Sequence, residues 1–170
     1  MSSTKMFNLD YDWLRIFYHN SSAGAFPNIE ATVNFNSHNE NAERFSILDQ
    51  LDAFRNKQGL FHLKLCYPSL EYQCQEWTQR SNPVDESDII DFTPINIGFT
   101  SAEKEFKGLG KNLYSTRNLM DDRPTSGHWS FSLGVVSLNE DRSFYGPWVK
   151  VHEVVLYVRK GKTSHKELRK

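Results

Sequence analysis

The segment 60–83, LFHLKLCYPSLEYQCQEWTQRSNP, constrains this chain more than any other. Phe61, Leu63 and Leu65 alternate with His62, Lys64 and Cys66, the period of two that marks a strand with one buried face. Pro68 lacks the amide hydrogen that a ladder requires, so pairing is expected to stop there. The two cysteines, Cys66 and Cys74, flank the stop. A turn at Pro68 can bring their Cα atoms within the roughly 4.4–6.8 Å that a disulfide spans. Two reduced, buried thiols are the alternative, and a zinc site is disfavoured because the chain has no second cysteine pair.

After the stop, Glu76-Trp77-Thr78-Gln79-Arg80-Ser81-Asn82-Pro83 reads as a loop carrying a carboxylate, two carboxamides, two hydroxyls, a guanidinium and an indole. That inventory suits binding of sugar hydroxyls or of a hard cation and is poorly matched to nucleophilic chemistry. A second oxygen-rich turn, Asp121-Asp122-Arg123-Pro124-Thr125-Ser126-Gly127-His128-Trp129, has the donor types that calcium coordinates at about 2.3–2.6 Å. Trp77 or Trp129 can stack on the apolar face of a galactose-like ring. The competing reading is a solvated turn with a core tryptophan.

Elsewhere the pattern is that of short strands. Alternation marks a first strand over 13–19, followed by a small-residue turn. Phe45, Leu48 and Leu51 recur at helical spacing, which predicts one amphipathic helix over 41–56, with Asn41 as its N-cap and Gly59 beyond its end. Further strands are expected over 61–65, 89–99, 106–114, 128–136 and 151–158, the last rich in β-branched residues. The paired glycines Gly108 and Gly110 are expected to mark a bulge or turn. Many short strands and one helix predict a mainly β chain, a single-domain β-sandwich of jelly-roll type with one appended helix. An α+β fibrinogen-like fold is the rival. Residues 1–12 form an N-terminal arm, 13–158 the domain and 159–170 a basic tail.

Twenty basic residues stand against 21 acidic ones, so no global field draws the chain to nucleic acid or to an anionic membrane. No run reaches the ~18 apolar residues of a membrane span, and the start MSSTKMFNLD lacks a signal-type apolar stretch. Read literally this is a cytoplasmic protein; read as a chain trimmed after a leader it is extracellular, which the sequon at Asn20 also fits. Six histidines are scattered without metal-site spacing, and no Gly-x-Ser-x-Gly elbow or P-loop occurs. Ser130 and Ser132 lie near His128 in sequence, but sequence adjacency is no triad, so a hydrolase is disfavoured.

The ordered series FYHNSSAG at Phe17, SILDQLDAFRNKQGLFHLKLCYP at Ser46, EWTQRSNP at Glu76, FKGLG at Phe106, LMDDRPTSGHW at Leu119 and VHEVVLYV at Val151 resembles a group of extracellular cnidarian proteins. That group includes calcium-dependent, galactose-binding lectins of sea anemones. The resemblance covers about residues 13–158, and CYP…C…EWTQ.SNP is its most specific piece. It implies a secreted, often oligomeric sugar-binding domain in which calcium contacts galactose hydroxyls. Where the family has Asp-Gly and a tryptophan pair, this chain has Asp121-Asp122 and His128-Trp129.

The sequence therefore leads to a non-enzymatic lectin for galactose-containing glycans, calcium-assisted by resemblance, with a homodimer as a compatible assembly. Glu76, Trp77, Gln79, Arg80, Asn82, His128 and Trp129 are the candidate sugar contacts. Asp121, Asp122, Glu76 and Asn82 are the candidate calcium ligands. The second reading is a structural or matrix-associated interaction domain in which EWTQRSNP is only a hydrogen-bonded corner.

Overall fold

A computed structural model of the chain describes residues 13–24, 26–28, 30–71, 73–97, 108–111 and 153–160. The fold is mainly antiparallel β and forms a single domain. Six strands, β1 (Trp13–Asn20), β2 (Arg44–Ser46), β3 (Phe61–Tyr67), β4 (Gln73–Gln79), β5 (Thr93–Ile97) and β6 (Glu153–Arg159), make one sheet in the order β2-β1-β6-β3-β4-β5. All the described strands belong to this sheet.

The β3–β4 hairpin, beside the central pair β6–β3, is in register from Phe61 opposite Gln79 to Tyr67 opposite Gln73. Pro68 ends the ladder as expected and opens a 3₁₀ turn over Pro68–Leu70, closed by Glu71 at φ +58°. Cys66 and Cys74 sit directly opposite each other and are joined by a disulfide.

The inner face carries Phe61, Leu63, Leu65 and Tyr67 from β3, Trp77 from β4, and Leu156 and Val158 from β6, all buried. Among the described residues it is covered by short 3₁₀ helices and loops, from which Phe26, Ala31, Leu48, Leu51 and Leu109 join the same core cluster. Each large aliphatic or phenylalanine side chain among them contributes about 1.5–3 kcal/mol by leaving water.

The helix expected over 41–56 takes a different form. Arg44–Ser46 pairs with β1 as a strand, placing Phe45 opposite Tyr18, and only Leu48–Phe54 is helical, as a 3₁₀ helix. With three residues per turn, Leu48 and Leu51 stack on one side, and both are fully buried. The periodicity was shared by a strand residue and a 3₁₀ helix, which sequence spacing alone does not separate. The strand expected over 89–99 is shortened to Thr93–Ile97 at its start, since 89–92 are irregular. Residues 108–111 are irregular as well, against the strand expected over 106–114. Gly108 has φ +100°, and a Cβ there would lie 2.7 Å from Gln79 Oε1, so this glycine answers both a backbone and a packing demand. The expected strand 128–136 lies outside the described residues. No helix among the described residues is long and apolar enough to cross a membrane.

Candidate functional site

Glu76 to Gln79 were expected in a loop and instead form the end of β4, so their side chains alternate between the two faces of the sheet. Trp77 falls on the inner face and is fully buried, so it is a core residue and offers no ring face for a sugar. Its Nε1–H donates to Gln79 Oε1 at 2.8 Å. Gln79, also fully buried, accepts a second bond from the Leu109 amide at 3.0 Å and donates through Nε2 to the carbonyls of Ser81 at 2.8 Å and Leu109 at 2.9 Å. Its carboxamide is thus committed to tying β4 to the segment at 108–111.

The corner beyond β4 is equally self-contained. Arg80 pairs with Asp91 at 2.7 Å and donates to the Gln58 carbonyl at 2.9 Å, while Arg55 donates to the Arg80 carbonyl at 2.7 Å. Ser81 Oγ accepts from the Ile90 amide at 3.0 Å. Asn82 is buried; its Oδ1 caps the turn by accepting from the Val84 amide at 2.9 Å, and its own amide donates to Glu86 Oε2 at 2.8 Å. Side chains of Asn and Ser are favoured at such turns because they replace backbone partners locally. The second half of the motif, Gln79 to Asn82, is therefore a hydrogen-bonded corner that fixes the loop leading to β5.

Glu76 alone of the expected contacts in this motif faces the outer side of the sheet, where it meets a cluster that the sequence reading did not assemble. His62 Nε2–H donates to Glu76 Oε2 at 2.6 Å, and the His62 ring meets the edge of Trp13 at a centroid distance of 5.0 Å. Lys64 stands directly opposite both Glu76 on β4 and Tyr157 on β6. Glu76 Oε2 is bonded to His62, and the Lys64 ammonium sits over aromatic rings, 4.4 Å from the Trp13 centroid and 5.5 Å from that of Tyr157. Partial burial holds the Lys64 pKa below the usual lysine value, with nearby Glu76 opposing the shift.

The face continues onto β1, where the Tyr18 hydroxyl donates to the Glu153 carboxylate and Arg15 lies over the Tyr18 ring at 4.8 Å. Burial first, and then Glu153, push the Tyr18 pKa up to about 12. A register shift between Arg15 and Phe17 turns Tyr18 to the same side as Arg15. Alternation in 13–19 and 151–158 carried the signal for this face, but which strands lie side by side is a property of the topology.

The calcium ligands expected in the described part do not fit a metal shell. Glu76 is bound to a histidine on the outer face, whereas Asn82 Oδ1 is spent on a turn amide. Among the described residues no group of three or more His, Cys, Asp or Glu side chains converges as a metal site. Asp121, Asp122, His128 and Trp129 lie outside the described residues. No protein-family model matches the chain, and no curated protein or solved structure matches it.

Proposed function

We propose that this chain is a non-enzymatic, extracellular carbohydrate-binding domain that presents its ligand surface on the outer face of the sheet. The observation that carries the reading is the cluster of Trp13, His62, Lys64, Glu76 and Tyr157 on adjacent, fully paired strands. Saccharide recognition needs ring faces for the apolar side of a sugar and rigidly held polar groups for its hydroxyls, and these side chains supply both. The resemblance to galactose-binding lectins supports the sugar class, and the disulfide supports an oxidising compartment. Calcium assistance rests on the resemblance, with Asp121 and Asp122 as its candidate ligands.

A second reading, a protein-interaction domain of structural or matrix type, is favoured by the self-contained corner and by exposed apolar residues beside it. Ile90 is 44% exposed, and Ile95 on β5 is 52% exposed. A glycan array probed with and without millimolar calcium decides between the two. Signal on galactose-terminated glycans supports the lectin, and silence in both conditions supports the interaction domain.

A further inference from the structure

The outer-face cluster holds its cation and its carboxylate apart. Register places Glu76 across from Lys64, the position from which a carboxylate would ordinarily meet the ammonium. The shorter contact goes to His62 at 2.6 Å, and the charge of Lys64 is left facing ring quadrupoles of Trp13 and Tyr157. Cation–π contacts orient an ammonium while leaving its N–H donors available for stronger partners. Arg15, on β1 opposite Tyr157, and Arg159, opposite Trp13, add positive charge along the same face, where Glu153 is engaged by the Tyr18 hydroxyl and Glu76 by His62, so three cations stand against two carboxylates.

We propose that this cluster selects acidic saccharides, with the ligand's sulfate or carboxylate received by Lys64 and the sugar ring held against Trp13 and Tyr157. The inference rests on the carbohydrate-binding reading and names its ligand class. An anionic group would form a charge-assisted hydrogen bond with an ammonium that the rings have already positioned and partly dehydrated. The His62–Glu76 pair then serves the neighbouring hydroxyls, with the carboxylate accepting and the imidazole holding it in place.

Titration calorimetry of the full chain with lactose, mono-sulfated lactose and sodium sulfate tests this. The expected result is that sulfated lactose binds about tenfold or more tightly than lactose, as for a hydrogen bond to a charged partner, and weakens as salt is raised. Lys64→Met should bring the sulfated sugar down to the level of lactose, while Lys64→Arg retains most of the preference; thermal melts confirm that both variants fold. Should Lys64→Met unfold, Lys64→Gln takes its place. Equal binding of lactose and sulfated lactose overturns the acidic preference and leaves the sugar reading standing. Sodium sulfate binding as tightly as the sulfated sugar overturns it in favour of a simple anion site. No heat with either sugar overturns the carbohydrate reading itself.

Discussion

The indole nitrogen of Trp77 donates to the carboxamide oxygen of Gln79 two residues further along the same strand, and both side chains are fully buried. A neutral, polar group in the core is tolerated only when all its bonding capacity is used, and Gln79 meets that condition with two accepted and two or more donated bonds. Gln79→Leu would strand the Trp77 indole N–H together with the amide and carbonyl of Leu109. The expected loss is about 3 kcal/mol or more by urea unfolding. A loss below about 1 kcal/mol would show that the corner does not brace the sheet.

The disulfide between Cys66 and Cys74 closes a short loop across the hairpin. Loop-closure entropy alone assigns such a link about 2–3 kcal/mol. Reduction, or the double substitution of both cysteines by alanine, is expected to lower Tm by several degrees while the far-ultraviolet spectrum at low temperature stays unchanged. Tm values that coincide with and without reductant would refute this.

His19 supplies a pH dependence. Its ring is buried, donates through Nε2 to the Gly24 carbonyl at 2.7 Å and packs edge-on against Phe26. Burial lowers its pKa below the ordinary 6.5, with the Gly24 bond opposing the shift and Arg44 adding to it. A depressed folded value means that the unfolded chain binds the proton more readily, so the contribution of His19 is complete above about pH 6.5 and is lost as pH falls below it. His19→Gln should flatten the fall of stability as pH drops below about 6.5. An identical slope in the variant would assign the pH dependence to other groups.

Glu76 is the one expected contact in the described part that lies on the outer face of the sheet, whereas the exposed Arg80 is held at the corner by Asp91. Glu76→Gln keeps the size of the side chain and removes the charge that His62 reads. Stability should change by less than about 1 kcal/mol because the pair is partly solvated. Affinity for the preferred glycan should fall about fivefold or more, measured on the same preparation. Unchanged affinity would take Glu76 out of the binding surface.

How far the sequence could be read depends on which residues are considered. Strand β3 was visible because Phe61, Leu63 and Leu65 recur at a period of two, and its end was visible because Pro68 cannot donate. The β-rich class followed from the same local signals. Trp77 and Gln79 were misplaced because a tryptophan surrounded by polar residues reads as a loop, whereas here the glutamine is buried with the indole as its partner. Leu48 and Leu51 fit an α-helix as well as a 3₁₀ helix, and the pairing of Phe45 with β1, which confines the helix to Leu48–Phe54, is a tertiary contact that spacing does not show. The outer-face cluster unites Trp13, Lys64 and Tyr157, residues from widely separated parts of the chain, and no local pattern announces that β6 lies between β1 and β3.

That placement of β6 has a consequence for the chain as it is made. The last described strand occupies the interior of the sheet, bonded to β1 on one side and β3 on the other. While the polypeptide leaves the ribosome, the first strand and the β3–β4 hairpin must wait as two separate pieces, each with an open edge. They join only when Glu153–Arg159 emerges. A premature stop upstream of this strand would therefore release two unsealed fragments of sheet and not a slightly shorter protein, and such edges recruit other chains.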